Sequence, residues 1–177
     1  MIYSNNMEDV EALATRALLV RAEFEIDTVT FEKSKTITTA FNQKVVCDYF
    51  IDEIHLDHYD FLIIPGGKYV SLVIDQDYEI KKLIQYFYEQ NKYLCAICAA
   101  PRFLGQLGLL DDIRFTAYKG CEIDMPKGQY LPYKKALTDH KIITARSAGS
   151  VYEFVYEIIC ELKNKKQADL LLENILF

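Results

Sequence analysis

The stretch Lys92-Tyr93-Leu94-Cys95-Ala96-Ile97 has five apolar or aromatic residues in six. A run without polar alternation predicts a strand covered on both faces, as in a parallel sheet. Tyr59 to Ile64 reads as a second buried strand. Helical spacing of apolar residues predicts helices over Met7 to Phe24 (Val10, Leu13, Ala14, Ala17, Leu18, Ala22) and Asp77 to Glu89 (Ile80, Leu83, Ile84, Phe87). Val151 to Leu162 and Gln167 to Phe177 complete the helical set, with a short helix after Pro101 that ends near Gly105 to Gly108. Shorter strands are predicted at Glu25 to Phe31 and Arg114 to Tyr118. Two hairpins are predicted: Thr36 to Phe41 with Lys44 to Phe50, and Lys134 to Leu137 with Ile142 to Ala145. The stretch holding Gly120, Pro126, Gly128 and Pro132 reads as a loop. Met1 to Tyr3 reads as the tail of a truncated first strand.

Strands alternating with helices imply a parallel α/β sandwich, whose ligand site lies beyond the carboxyl ends of the strands. No repeat or linker divides the chain, so residues 1–177 are read as a single domain. Half of the residues are hydrophobic (51%), enough for a full core. A net charge of −6 argues against nucleic-acid or anionic-membrane partners. The chain carries no long apolar run or secretory leader pattern, and its five cysteines lack disulfide-framework spacing; both features point to a cytoplasmic protein. Lys163, Lys165 and Lys166 read as a solvated helix end.

Candidate chemistry concentrates where the strand at Ile97 ends. Small residues and then Pro101 open a helix there, leaving Cys98 at the strand-to-helix bend, where a helix N-terminus is expected to lower a thiol pKa. The turns Asn5 to Glu11, Pro65 to Lys68 and Cys98 to Pro101 all fall at strand ends and are candidates to converge on one crevice. Pro65-Gly66-Gly67 indicates a tight turn that another group approaches closely. Cys95 and Cys98 fit a Cys-x-x-Cys pattern, but residues three apart on a strand face opposite ways and cannot meet disulfide geometry. No metal-ligand spacing recurs, and the glycines lack a phosphate-loop continuation.

The Glu8-Asp9-Val10-Glu11-Ala12 segment, the Pro65-Gly66-Gly67 turn and the Ala96-Ile97-Cys98-Ala99-Ala100-Pro101 elbow together resemble the ThiJ/PfpI family. That family includes the Parkinsonism-associated protein deglycase and belongs to the type 1 glutamine amidotransferase-like superfamily. Thr144-Ala145-Arg146-Ser147-Ala148-Gly149-Ser150, followed by Glu153-Phe154, resembles its last strand-to-helix turn. The resemblance implies a three-layer α/β/α, flavodoxin-like fold with a mainly parallel central sheet. It implies Cys98 as nucleophile, Glu11 as the carboxyl held against its sulfur, and the amides of Gly67 and Ala99 as oxyanion donors. A like charge beside the thiolate is expected to raise the Glu11 pKa, so that its carboxyl stays protonated and donates to sulfur. Gly66 and Tyr118 are expected to line the pocket.

Two departures from the family pattern bear on function. Tyr118 stands where several members carry a histidine near the cysteine, and a phenol is a poor base at neutral pH. Ala99 stands where the protease-like branch has a histidine, which argues against peptidase activity. His55, His58 and His140 match no site position. Two functions stay open: a cofactor-free glyoxalase or deglycase acting on small carbonyls or glycated side chains, and a redox-responsive or chaperone-like protein whose Cys98 is oxidised to a sulfinate. The family habit implies a homodimer, with the apolar C-terminal run Ala168 to Phe177 covering either its own domain or a partner copy.

Overall fold

The computed structural model describes residues 1–76 and 78–177. Its strands, in chain order, are β1 (Val29–Thr30), β2 (Thr36–Thr38), β3 (Lys44–Val46), β4 (Tyr49–Phe50), β5 (Phe61–Ile64), β6 (Tyr93–Ile97), β7 (Arg114–Phe115), β8 (Gln129–Tyr130), β9 (Ala136–Asp139) and β10 (Ile142–Ala145). The helices are α1 (Thr15–Arg21), α2 (Lys68–Val73), α3 (Tyr78–Glu89), α4 (Pro101–Gln106), α5 (Val151–Leu162) and α6 (Lys165–Asn174). Asp77, the predicted first residue of α3, lies outside the described residues.

The central sheet runs β5-β6-β10-β9, parallel except for the β9–β10 hairpin. Leu94 to Ile97 of β6 are wholly buried, because β5 and β10 flank the strand and helices cover both faces. Met1 to Tyr3 joins this sheet to the β1–β4 pair. The Ile2 amide donates to the Ile63 carbonyl at 3.0 Å, and the Tyr3 amide to that of Val29 at 2.8 Å. The segment expected to be a strand tail is therefore buried mid-sheet, with Ile2 fully enclosed.

The helices form two layers. On one, α1 and α6 pack on α5, which lies along β9 and β10; on the other, α3 lies on β5 and β6 and touches α4. In α3 the four predicted apolar positions, Ile80, Leu83, Ile84 and Phe87, are the buried ones. The result is a flavodoxin-like three-layer α/β/α fold. Among the described residues no helix is long and apolar enough to cross a membrane.

Several local expectations are corrected. Lys44 to Phe50 is not one strand: β3 pairs with β2, whereas β4 turns away to pair with β1. The strand predicted over Glu25 to Phe31 shrinks to β1. Helix α2 goes unpredicted, and the predicted loop after β7 contains a 3-10 turn at Cys121–Asp124 and β8, which pairs with β7. Lys163 is not merely solvated: its ammonium donates to the Ala22 and Glu23 carbonyls, capping the end of α1, and lies over the Phe24 ring. The C-terminal run folds back on its own domain, with Ala168 and Leu171 buried and Phe177 stacked on Tyr152, while Leu176 stays 95% exposed.

Candidate functional site

Cys98 follows β6 directly and sits in the left-handed region, at φ 65°. A side chain there costs roughly 1–3 kcal/mol, so the surroundings must enforce it. Two main-chain hydrogen bonds do so. The Cys98 amide donates to the Ala145 carbonyl at the end of β10 (2.9 Å), and the Cys98 carbonyl accepts from the Tyr118 amide (2.8 Å). Pro101 then begins α4, as its fixed φ favours.

Glu11 arrives from the opening helix. The predicted continuous helix over Met7 to Phe24 is not uniform: Val10–Ala14 forms a π-helical turn before α1 begins. Wider turns of this kind redirect side chains and recur at functional sites. The three acids of this segment separate accordingly. The Glu8 carboxylate accepts the Glu11 amide (2.7 Å), Asp9 accepts the Thr39 hydroxyl (2.6 Å), and Glu11 turns inward to 1% exposure.

Gly66 links the two side chains. Its amide donates to Glu11 Oε2 at 2.9 Å. A Cβ added to Gly66 would lie 2.5 Å from that oxygen and 2.6 Å from Cys98 Cβ, so only hydrogen fits between acid and thiol. Gly67, at φ 125°, packs as closely on the loop of Asn6 to Glu8: a Cβ there would sit 2.5 Å from both Asn6 O and Glu8 N. The three turns at the strand ends thus meet around Cys98.

The electrostatics differ from the expectation of a lowered thiol pKa. Burial pushes the Cys98 thiol up, and the charge of Glu11 and the side-chain hydrogen bond with it push further in the same direction. Only the Ala99 amide pulls it down, because the six-residue α4 starts three positions later and supplies little field against that desolvation. Burial also pushes Glu11 up to about 7; its hydrogen bond to Cys98 opposes this, Glu8 adds to it, and the Gly66 and Ala148 amides moderate it. Desolvation, rather than a neighbouring thiolate, is therefore the main cause of the raised carboxyl. The two groups are coupled, so the proton on one changes the hold of the other.

Of the residues singled out from sequence, Cys98, Glu11, Gly66, Gly67 and Ala99 converge. Tyr118 reaches Cys98 only through its backbone; its side chain is 54% exposed, on a neighbouring groove. The Ala148 amide, which helps to hold the Glu11 pKa down, is a site group with no side-chain signal in the sequence, where Ser147 to Ser150 reads only as a helix opening. Cys95 is fully buried, Cys98 is partly exposed, and both are free thiols.

Comparison with known proteins agrees with this fold. The chain is 31% identical to the uncharacterized protein MG029 of Mycoplasma genitalium, over 97% of this chain and 91% of that one. It is 27% identical to deglycase PfpI of Pyrococcus furiosus, over 90% of this chain and 96% of that one. Among solved structures, Drosophila melanogaster DJ-1beta superposes with a TM-score of 0.91 at 22% identity, covering 99% of this chain and 95% of that one. The DJ-1/PfpI family model matches residues 1–161, and the chain belongs to that family.

Proposed function

We propose that this protein is a cysteine-dependent enzyme acting on reactive carbonyls, in glyoxalase or deglycase chemistry that needs no cofactor. The observation that carries this reading is the strained elbow at Cys98 with the buried Glu11 carboxyl held beside it by the Gly66 amide. The deglycase name of the Pyrococcus relative agrees with it.

In this reading, the Glu11 carboxylate takes the proton of the Cys98 thiol as substrate enters and leaves sulfur as the nucleophile. The thiolate adds to the aldehyde carbon of an α-oxoaldehyde, and the C=O electron pair moves to oxygen. The amides of Gly67 and Ala99 hold the resulting oxyanion until Glu11 returns the proton to it, giving a hemithioacetal. A proton shift between the two former carbonyl carbons and attack by water then release a 2-hydroxy acid. The net change is addition of one water, with oxidation and reduction confined to the substrate. A glycated side chain offers the same adduct carbon at an earlier stage. We place the protein in the cytoplasm, as a homodimer.

The test is methylglyoxal turnover by the wild type and by Cys98→Ser. Loss of all turnover in the variant is expected, and retained turnover overturns the cysteine mechanism. A second reading, oxidation of Cys98 to a sulfinate, is favoured by the same Glu11 and Ala99 donors, which suit sulfur-bound oxygens. Intact mass after mild peroxide tests it, a gain of two oxygens confined to Cys98 being the expected result.

A further inference from the structure

The backbone bonds that fix the elbow also fix what lies beside it. Tyr118 donates its amide to Cys98, and Arg146 directly follows Ala145, whose carbonyl accepts the Cys98 amide. These two residues line a groove of about 430 Å³ together with Lys119, Glu122, Tyr130 and Pro132. A volume of this size suits a small molecule. The larger groove at Tyr88, Tyr93, His140 and Lys141 lies at the opposite ends of β6 and β10, away from the thiol.

The charges of the smaller groove run against those of the whole chain. The protein carries a net −6, yet among the described residues neither Lys119 nor Arg146 forms an ion pair. Arg146 uses Nη1 on the Pro132 carbonyl (3.2 Å), which leaves most of its five N–H donors available. The one acid, Glu122, accepts the Gly120 amide at 2.6 Å, and the two cations outnumber it, leaving the groove net positive. Tyr118 and Tyr130 supply flat apolar walls. A guanidinium presented beside aromatic rings suits a carboxylate or phosphate on a short carbon chain.

We propose that this groove binds the anionic tail of a substrate whose aldehyde carbon sits at Cys98, so that the substrate class is an acidic α-oxoaldehyde. This rests on the carbonyl reading of Cys98 and adds Arg146 and Lys119 as the groups that set specificity.

The probes are 4,5-dioxopentanoate and its methyl ester, which share the reactive end and differ by one charge. The wild type is expected to favour the anion in kcat/KM by about tenfold, the scale of one charge-assisted hydrogen bond, and Arg146→Gln to erase that ratio through KM. Lys119→Gln, an exposed change with no packing at stake, is expected to reduce the ratio by a smaller factor. Equal handling of the two probes by the wild type, or an unaltered ratio in Arg146→Gln, overturns the anion site and leaves the carbonyl chemistry standing. Turnover of methylglyoxal but of neither probe overturns the anion site; turnover of none of the three overturns the carbonyl chemistry, and unreactive 4-oxopentanoate then decides the groove. Shifts of the Tyr118 and Tyr130 ring resonances in the wild type, absent in Arg146→Gln, support it; no shift in the wild type overturns it.

Discussion

Glu11 Oε2 accepts the amide of Gly66 at 2.9 Å across 55 positions of sequence, and that bond holds the buried carboxyl against the Cys98 elbow. The missing side chain at position 66 is therefore part of the site. Gly66→Ala forces a methyl into space already held by Glu11 Oε2, Cys98 Cβ and the Ile97 carbonyl. Overpacking of this kind costs about 1–3 kcal/mol. The expected outcome is a lowered melting temperature together with loss of methylglyoxal turnover; a variant with wild-type values for both contradicts the packing described.

Glu11 binds its proton more tightly in the folded chain, at about 7 against an ordinary 4.5. The folded state then holds the extra proton between those values, so its stability is greatest below 4.5 and falls as pH rises through 7. Glu11→Gln removes that slope, worth on the order of 3 kcal/mol across the window. Urea melts of both proteins from pH 4 to 8 check this, and parallel curves refute it.

The same substitution also reports on sulfur. The Glu11 charge and its hydrogen bond both hold the Cys98 thiol up, so removing the charge makes thiolate easier to form. Alkylation of Cys98 by iodoacetamide in Glu11→Gln is expected to have its midpoint at lower pH than in the wild type, even as carbonyl turnover falls. A midpoint that stays put or rises counts against coupling between the two groups.

At φ 65° the usual penalty for glycine reverses. Cys98→Gly is expected to be more stable than Cys98→Ala by about 1 kcal/mol, because alanine keeps the strained Cβ and glycine does not. Chemical denaturation of the two inactive variants gives the comparison, and an alanine variant of equal or greater stability shows the elbow to be unstrained.

Cys95 supplies a control for the Cys-x-x-Cys pattern. It is fully buried, and its thiol is pushed up by desolvation. Cys95→Ala is expected to lower stability by about 1–2 kcal/mol through the cavity left behind, and to leave the alkylation rate of Cys98 as in the wild type. A changed rate at Cys98 reveals coupling between the two sulfurs.

The parts of the molecule readable from sequence are those where local chemistry and tertiary packing agree. Helices α3 and α5 and strand β6 follow from apolar spacing because that spacing is what buries them. The proximity of Cys98, Gly66 and Glu11 follows from turns placed at parallel strand ends. Other features depend on contacts distant in sequence. The π-helical turn around Glu11 arises where the opening helix meets the Gly66 loop, and no residue type announces it. Strand β4 leaves its expected hairpin because β1 offers a parallel partner. The Ala148 amide carries no side-chain signal, and the direction of the Cys98 pKa depends on burial, which outweighs the short helix that the sequence does reveal.

The elbow is suspended from the main chain of β10 on one side and of the segment after β7 on the other. Every residue type has a main-chain carbonyl and all but proline a main-chain N–H, so this suspension survives almost any exchange of side chains around it. The lining of the neighbouring groove is free to vary while the sulfur keeps its address, which gives one scaffold the means to serve carbonyl compounds of different charge and shape.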